Sequence, residues 1–340
     1  MIREAIGALA TGRSLDTTET SCVMQEIMQG EATPAQIAAF VMGLRMKGET
    51  ADEIAGMAKV MLSRAVRIYP GAELDTCGTG GDGSRSFNIS TAAAFVAAGA
   101  GVKVAKHGNR AMSSQCGSAD VLESLGVKMD LEPDHVEECV RQVGIGFLFA
   151  PRFHPAMKHA AAPRKDIGVR TVFNILGPLC NPAGARTQLL GVAEPGLVEK
   201  MAGVLHQLGF QRAMVVHGED GLDEISLSGK TTVCELHRGR MDTYVVSPAD
   251  FGLQSAAREE LAGGTAEDNA TLLRDVLERC RGARRDVVVM NAAAGLMVAG
   301  VAGTLREGAE LASDSIDSGQ ALKKLNALAE YSHSFDRATV

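Results

Sequence analysis

The sequence has no tryptophan and only 10 phenylalanines and 3 tyrosines among its 340 residues. Aromatic platforms on which nucleic-acid bases stack are therefore scarce. The formal net charge is −7, whereas proteins that coat nucleic acid carry an excess of positive charge. A local basic patch is compatible with this balance, but the composition as a whole predicts no nucleic-acid partner.

Cysteine pairs and long apolar runs are also missing. The 7 cysteines are scattered, and no C-x-x-C or H-E-x-x-H motif indicates a zinc site or a disulfide framework. Unpaired cysteines fit a reducing compartment, so we expect a cytoplasmic protein. Residues 1–12 lack the apolar core of a signal peptide, and residues 287–302, interrupted by Asn291 and two glycines, are short for a membrane span. We therefore expect no membrane partner.

What is abundant is glycine, with 38 residues, beside an ordinary share of 46% apolar and 22% charged residues. A chain of this length predicts two subdomains. Residues 1–65 predict helices, because Thr33 stands before a proline at one helix start and Thr50 forms a capping box with Glu53 at another. Residues 69–71, Tyr-Pro-Gly, mark the hinge into an α/β part.

The stretch 74–118 is the centre of that α/β part. It predicts a strand at 74–77, a glycine loop at 78–83, helix-capping side chains at 88–91, a helix from Ala92 to Ala98, a strand at 102–105, and a second loop from Lys106. This spacing fits one βαβ unit whose two loops lie at the carboxyl edge of the sheet.

That edge of the predicted sheet favours an anion. Glycines let the backbone curl so that several N–H groups point into one hollow. The helix beginning near Ser90 adds unpaired N–H groups and the positive end of its dipole. Lys106 and Arg110 arrive from the second strand. The pattern predicts a phosphate site, with a plain glycine-rich turn as the alternative.

Two common nucleotide sites are disfavoured. Gly78, Gly80 and Gly83 satisfy the pattern G-x-G-x-x-G. A dinucleotide site also needs an acid about 20 residues later, where this chain has Lys106-His107. No G-x-x-x-x-G-K-[ST] occurs, so a nucleoside-triphosphate P-loop is not supported.

The rest of the chain predicts further α/β elements. Buried strands are expected at 127–131, 145–150, 188–192, 213–217 and 287–290, with a more exposed antiparallel pair at 231–235 and 242–246. Helices are expected at 119–125, from Pro133, and at 198–208, 268–281, 292–302 and 309–329.

Three other features carry chemistry, each with a plain structural alternative. The acids in 219–224 follow a buried strand, and they either reach a Mg²⁺ that bridges substrate phosphates or form a solvated acidic turn. Arg164 either binds a carboxylate or lies solvated on a helix. His107 and His154 can act as acid–base groups, although structural histidines are the favoured interpretation.

The motifs GTGGDG (78–83), NIST (88–91), KHGNR (106–110) and SSQCGSAD (113–120) resemble those of the anthranilate phosphoribosyltransferases. The resemblance continues through HPAMKH (154–159) and RTVFNILGPLCNPA (170–183) and covers most of the chain. It implies an α/β fold shared with nucleoside phosphorylases: a small N-terminal helical domain and a large α/β domain with a mostly parallel central sheet and a glycine-rich loop. The helical domain is then expected at 1–68, joined by helices from about 155–182, and the α/β domain at 69–154 and 183–340.

The resemblance also implies an activity. Phosphoribosyl pyrophosphate, the donor, would give its phosphoribosyl group to the amine of anthranilate, a step in tryptophan biosynthesis. Mg²⁺ is expected as cofactor, with two ions, and a homodimer would form through the helical domain. Lys106 and Ser90 would stabilise the transition state, with no covalent or acid–base residue.

The site residues that the resemblance implies fall into three sets. The donor-binding set is Gly78, Gly81, Asp82, Ser86, Asn88, Ser90, Thr91, Lys106, His107, Gly108, Asn109, Arg110, Ser113, Ser114 and Ser118. The anthranilate-binding set is Gly78, Asn109 and Arg164. The metal-binding set is Ser90, Asp223 and Glu224.

The chain departs from the family pattern at two places. Gln115-Cys116 stands where lysine-serine is common, which removes one cation near the donor phosphates. Ser84-Arg85-Ser86 fills the glycine loop in an uncommon way, although Ser86 keeps a hydroxyl where threonine is usual. We therefore predict weaker donor affinity than in close relatives, and Arg85 is the cation that would offset this loss.

Two other functions fit the same fold. A pyrimidine nucleoside phosphorylase would need a base-recognition set in place of KHGNR and the Asp223-Glu224 pair. A non-enzymatic homologue that binds nucleic acid should lose the motifs and gain a basic stripe. Because this chain keeps the motifs and is acidic, the transferase is the preferred interpretation.

Overall fold

The computed structural model describes residues 1–111 and 115–335. The chain begins with helices α1 (Ile2–Ala10), α2 (Thr17–Gln29), α3 (Pro34–Lys47) and α4 (Ala51–Arg64). The predicted caps are confirmed, because the side chains of Thr33 and Thr50 each accept a hydrogen bond from the backbone N–H three residues later. These helices bury their apolar faces against one another, and Met24 and Met57 lie in the core of the bundle.

A mostly parallel sheet forms the centre of the second part. Its strands are β1 (Asp75–Gly78), β2 (Val104–Gly108), β3 (Ile145–Phe149), β4 (Thr187–Gly191), β5 (Arg212–Gly218), β6 (Thr231–His237) and β7 (Arg240–Val246). Strands β1, β4 and β5 run parallel, and β6 and β7 extend this sheet antiparallel. Strands β2 and β3 form a parallel pair that meets β1 through a parallel bridge between Leu74 and Val104.

Helices cover both faces of the sheet. They are α5 (Ile89–Gly99), α6 (Ser118–Ser124), α7 (Pro133–Val143), α8 (Ala150–Phe153), α9 (Lys158–Ile167), α10 (Val172–Leu176), α11 (Val198–Gln207), α12 (Ala266–Leu277), α13 (Ala283–Ala299), α14 (Leu305–Asp317) and α15 (Gln320–Ser334). The predicted fold class, a helical bundle beside an α/β domain, is confirmed. No helix in the described ranges is long and apolar enough to cross a bilayer.

Two hydrophobic cores lie on opposite faces of the sheet. On β4, Leu189 points into the core that contains α5 and α13, and Leu190 points into the core shared with the N-terminal helices. Helices α9 and α10 both pack against α3, so the chain returns to the helical bundle after β3. The domain boundaries given above stay a prediction.

The predicted strand at 287–290 is wrong. These residues are fully buried inside α13. A segment that is surrounded by protein on all sides is apolar at every position, so its periodicity does not distinguish helix from strand. The single helix predicted at 309–329 is instead two helices, because Gly319 adopts a left-handed backbone with φ 77° between α14 and α15.

Two predictions near the centre of the α/β part also need correction. Residues 127–131 form no strand, since the Val127 N–H bonds back to Leu122 and the Lys128 N–H donates to Ser332. Strand β2 begins and ends later than predicted, so that Lys106 lies inside the strand and its side chain is held by neighbouring strands and helices. The second loop therefore begins only after Gly108.

Candidate active site at the carboxyl edge of the sheet

The glycine loop is shaped by the acidic residue that lies against it. Gly78 and Gly191 are register partners at the ends of β1 and β4. A Cβ at Gly78 would lie 2.3 Å from Asp223 Oδ2, and one at Gly191 would lie 1.6 Å from the Asp223 carbonyl oxygen. Gly80 and Gly81 then turn with φ values of 65° and 72°, which side chains rarely tolerate. Glycine is therefore required both for the turn and for the close approach of Asp223.

Asp223 and Glu224 each accept a hydrogen bond from a backbone N–H at this edge of the sheet. Gly80 N–H donates to Asp223 Oδ2 at 2.7 Å. Ser90 N–H, in the first turn of α5, donates to Glu224 Oε1 at 3.1 Å. The structure thus brings together the predicted anion site and the predicted metal ligands Ser90, Asp223 and Glu224.

Asp223 is half-buried, Glu224 is buried, and the two acids repel each other. Burial raises the pKa of Glu224 to about 7, while the nearby Lys106 ammonium lowers it. Burial, and then the charge of Glu224, raise the pKa of Asp223 well above its ordinary range. A single lysine does not compensate two carboxylates, so a bound cation would relieve this repulsion.

The oxygen ligands at this site suit Mg²⁺ that is bound together with a phosphate. No group of three or more histidine, cysteine or acidic side chains in the described ranges could hold a metal by itself. Two carboxylates and the Ser90 hydroxyl suit an ion that takes few protein ligands and completes its shell with phosphate oxygens and water. Asp223, Glu224 and Ser90 would hold it there.

Lys106 lies under the N-terminus of α5. The residue is only 3% exposed, and its Nζ donates to the Thr76 carbonyl at 2.5 Å and to Ser90 Oγ at 3.2 Å. Asp75 is buried beside it, and burial raises the pKa of this carboxyl to about 6, while the Lys106 charge lowers it. The predicted phosphate-binding lysine therefore faces both the helix N-terminus and the acid pair.

The predicted capping by residues 88–91 is wrong. Asn88 is at the N-cap of α5 but makes no side-chain cap. Its Oδ1 accepts from Asn269 at 3.0 Å and from Cys116 at 3.4 Å, so it links the start of α5 to α12 and to the second loop. Thr91 Oγ1 is buried and has no hydrogen-bond partner in the structure. Glu224 thus accepts one N–H at the N-terminus of α5, and the Thr91 hydroxyl makes no hydrogen bond.

The second loop differs from expectation at Arg110. Its guanidinium pairs with Glu123 at 2.7 Å and with Asp120 at 3.1 Å, instead of facing the hollow unpaired. Asn109 is exposed, and its carbonyl accepts from Ser118 at 3.4 Å. A Cβ at Gly108 would lie 2.2 Å from Ser118 Oγ, which explains the glycine. The predicted donor residues Ser113 and Ser114 lie outside the described residues.

The remaining predicted donor residues belong to the glycine loop. Asp82 Oδ1 accepts from the Ser84 N–H at 3.1 Å, and Ser84 Oγ donates to Ser86 Oγ at 3.1 Å. Arg85 has a left-handed backbone with φ 53°, uncommon for a side chain of this size. The uncommon Ser84-Arg85-Ser86 filling is therefore a local hydrogen-bonded turn that leaves Arg85 exposed.

The two histidines serve as internal supports. His107 Nδ1 lies 3.2 Å from the Gly177 carbonyl and His154 Nε2 lies 3.0 Å from the Cys180 carbonyl. Burial lowers the pKa of His107 to about 3 and that of His154 to about 4, so both rings are neutral near pH 7. Their placement matches the structural interpretation and puts the His107 ring away from Lys106, on the side of residues 177–180.

Arg164 is a partly buried cation above an aromatic ring. Its guanidinium lies 5.3 Å from the centroid of Phe173, and burial lowers its pKa. In the part of the chain that the structure describes it has no ion pair and no hydrogen bond from its side chain. This leaves its donors available for a carboxylate, as the resemblance implies.

Sequence reasoning missed Arg170 and Gln188. Arg170 Nη2 donates to the Thr79 carbonyl at 3.4 Å, at the start of the glycine loop. Gln188 is fully buried on β4, and its Nε2 donates to the Pro178 carbonyl at 2.6 Å. A polar residue at the start of an apolar strand was the available signal for Gln188, whereas nothing local to Arg170 reveals its contact with the loop.

Comparison with known proteins gives the class first. Residues 3–65 match the helical bundle domain of the glycosyl transferase family, and residues 71–322 match its a/b domain. Together with the glycine loop and the acid pair, this defines a glycosyltransferase built from a helical bundle and an α/β domain.

Individual relatives narrow the family. The anthranilate phosphoribosyltransferase of Acetivibrio thermocellus is 52% identical over 98% of both chains, and that of Pelotomaculum thermopropionicum is 55% identical over 97% of this chain and 96% of the relative. The crystal structure of anthranilate phosphoribosyltransferase from Thermus thermophilus has 44% identity and a TM-score of 0.92, covering 97% of this chain and 99% of that one. The Saccharomyces cerevisiae enzyme in complex with PRPP and Mg has 30% identity and a TM-score of 0.87, covering 98% of each chain. The chain belongs to the anthranilate phosphoribosyltransferase family.

Proposed function

We propose that the protein transfers the phosphoribosyl group of phosphoribosyl pyrophosphate to the amine of anthranilate, giving N-(5-phosphoribosyl)anthranilate and pyrophosphate in tryptophan biosynthesis. The observation that carries this proposal is the pair of half-buried Asp223 and buried Glu224, which lies on the glycine loop and the N-terminus of α5 beside Lys106. A pyrimidine nucleoside phosphorylase has no matching support among the relatives described above, which are all anthranilate phosphoribosyltransferases.

The donor side of the site stabilises a departing diphosphate. Loss of pyrophosphate leaves positive charge on the ribose and negative charge on the leaving oxygens. The glycine-loop amides, the Ser90 hydroxyl and the Lys106 ammonium are fixed where that negative charge develops. Mg²⁺, when bound at Asp223, Glu224 and Ser90, supplies further neutralisation of the diphosphate.

The acceptor side needs position more than proton transfer. An aromatic amine is neutral near pH 7, so its lone pair attacks without prior removal of a proton. Arg164 holds the anthranilate carboxylate bidentately, and Gly78 and Asn109 lie toward the donor. Orientation of the amine toward the ribose carbon then supplies a large part of the rate.

The finer parts of the proposal are two Mg²⁺ ions, a homodimer formed through α1–α4, and a cytoplasmic location. Free cysteines, five of them buried, support a reducing compartment. Met46 at the end of α3 is 84% exposed, and an exposed apolar side chain there supports an interface on the helical bundle that a second copy of the chain covers. Light scattering at micromolar protein concentration tests the dimer, and a monomer mass would contradict it.

A fluorescence assay tests the function. Anthranilate is fluorescent, so its loss in the presence of phosphoribosyl pyrophosphate and Mg²⁺ reports turnover. We expect loss of signal only when donor, anthranilate and Mg²⁺ are all present. Phosphorolysis of thymidine with no consumption of anthranilate would contradict the proposal.

A further inference from the structure

The glycine loop is clamped from two sides. Asp223 accepts the Gly80 N–H on one side. On the other, Arg170 donates to the Thr79 carbonyl, and its guanidinium lies so close to Gly81 that a Cβ there would be 1.4 Å from Nη1 and 2.4 Å from Cζ. Gly81 is thus a glycine for two reasons: its φ of 72° and the guanidinium beside it.

Arg170 carries a charge that no carboxylate neutralises at contact. It lines a surface cavity together with Arg45, Glu49 and Glu194. Glu194 is paired with Arg45 at 3.4 Å, and no ion pair within 4 Å involves Arg170 in the described residues. Its positive charge is therefore directed at the outer side of the glycine loop, where the backbone offers carbonyl acceptors.

Arg170 also belongs to a different structural unit from the loop that it touches. It lies between α9 and α10, which pack against α3 of the helical bundle. The loop itself continues β1, and Thr79 is fixed to β4 by its N–H, which donates to the Gly191 carbonyl at 2.9 Å. The Arg170 contact thus links the position of the glycine loop to the helical bundle.

We propose that Arg170 is a positioning residue for the donor: it holds the backbone at Thr79 and Gly81 in the curled form that presents the loop amides to the diphosphate. This inference rests on the proposed function. Without Arg170, the loop would keep the Thr79 bond to Gly191 and the Gly80 bond to Asp223 but would lose the contact at the Thr79 carbonyl and Gly81, and its amides would have to be ordered when the donor binds. The cost falls on donor binding, because Arg170 contacts Thr79 and Gly81 of the loop, whereas the proposed partner of the anthranilate carboxylate is Arg164 in α9.

Steady-state kinetics of single variants tests this. We expect Arg170→Ala to raise the donor KM roughly 10- to 100-fold, the range for a lost hydrogen bond to a charged group, with the anthranilate KM within twofold of wild type. Arg170→Lys keeps the charge but loses the planar guanidinium, so its donor KM should lie between those of the wild type and Arg170→Ala. The matched control is Arg45→Ala, which removes an arginine from the same cavity without touching the loop and should leave the donor KM unchanged.

A double-mutant cycle separates a positioning role from a general loss of stability. Gly81→Ala alone should weaken donor binding both through its strained φ and by displacing Arg170. In the Arg170→Ala background only the strain remains, so the two effects on donor KM should combine to less than their product. If the alanine variant does not fold, the cycle is made with Arg170→Lys.

Calorimetry with pyrophosphate and Mg²⁺ as the probe distinguishes a failure of the proposed function from a failure of the proposed role of Arg170. A wild-type protein that neither binds this probe nor consumes anthranilate overturns the proposed function and this inference together. A wild-type protein that does both, with Arg170→Ala within twofold of it in pyrophosphate affinity and donor KM, overturns the inference alone. Fully multiplicative effects in the Gly81 cycle would also overturn it.

Discussion

Glu224 Oε1 accepts the backbone N–H of Ser90 at 3.1 Å, although the two residues are 134 positions apart. A carboxylate therefore lies on the positive end of α5, the place where a phosphate was predicted. Because Asp223 lies next to it and burial raises the pKa of both acids, the pair is strained electrostatically without a cation. Binding of Mg²⁺ with the donor diphosphate would turn this repulsion into coordination.

Replacement of one acid tests that arrangement. Asp223→Asn keeps an acceptor for the Gly80 N–H but removes a carboxyl whose pKa is raised in the folded protein, so the metal-free protein should gain about 1 kcal/mol or more in free energy of unfolding at pH 7. Activity should fall at least roughly 100-fold, because a ligand for the catalytic cation is lost. Thermal melts without metal and kcat/KM with Mg²⁺ measure the two effects.

The control for this variant is Glu219→Gln, which changes an exposed acid on the same loop. It should alter neither stability nor turnover. An Asp223→Asn protein with wild-type turnover and an unchanged response to Mg²⁺ would show that the acid pair is a structural turn.

Thr91 offers a test of the donor set that does not depend on charge. Its Oγ1 is buried without a partner, so Thr91→Val removes a hydroxyl that contributes no hydrogen bond to the free protein. The melting temperature should stay the same or rise. If the hydroxyl binds the donor diphosphate, the donor KM should rise roughly tenfold, the effect of one hydrogen bond.

Thr76→Val is the matched control, because Thr76 Oγ1 donates to the Ser90 carbonyl at 3.0 Å. This variant should lose stability where Thr91→Val does not. An unchanged donor KM in Thr91→Val would remove Thr91 from the donor set.

Gln115 tests the departure from the family pattern. We expect Gln115→Lys to lower the donor KM, since it restores a cation near the donor phosphates. The reduction should shrink at high salt because the residue is exposed. Arg85→Ala, measured beside it, shows whether that exposed arginine offsets the missing lysine. An unchanged donor KM in Gln115→Lys would count against the prediction that Gln115 weakens donor affinity.

His154 makes stability depend on pH. Burial lowers its folded pKa to about 4, below the ordinary value of 6.5, so the unfolded chain binds more protons between these values. Stability is therefore complete above about pH 6.5 and falls as the pH drops toward 4, by roughly 3 kcal/mol from this residue. His154→Gln keeps a donor for the Cys180 carbonyl and should flatten this part of the denaturation profile.

An exposed histidine provides the comparison. His206→Gln should leave the profile as it is in the wild type. If both variants lose stability with acid as steeply as the wild type, the buried His154 ring does not contribute to the acid sensitivity.

The sequence predicted best what depends on neighbours along the chain. The helix starts at Thr33 and Thr50 were correct because a capping box uses residues three positions apart. The glycine loop and the helix that follows it were also predicted correctly from local sequence, although the side-chain caps expected at 88–91 do not form. The strand expected at 287–290 was wrong because full burial removes the periodic signal.

Contacts between distant parts of the chain were beyond sequence reasoning. Three such contacts depend on the direction that side chains take after folding. They are Glu224 with Ser90, Arg110 with Glu123 and Asp120, and Arg170 with Gly81. The family motifs identified most of these residues but not the partners that each one takes in this structure.

The most direct test of the account is a crystal structure of the protein soaked with phosphoribosyl pyrophosphate and Mg²⁺. We predict the diphosphate between the glycine-loop amides, the N-terminus of α5 and Lys106, with Asp223 and Glu224 on the metal side. A diphosphate bound elsewhere, or an empty hollow at saturating donor, would contradict the account.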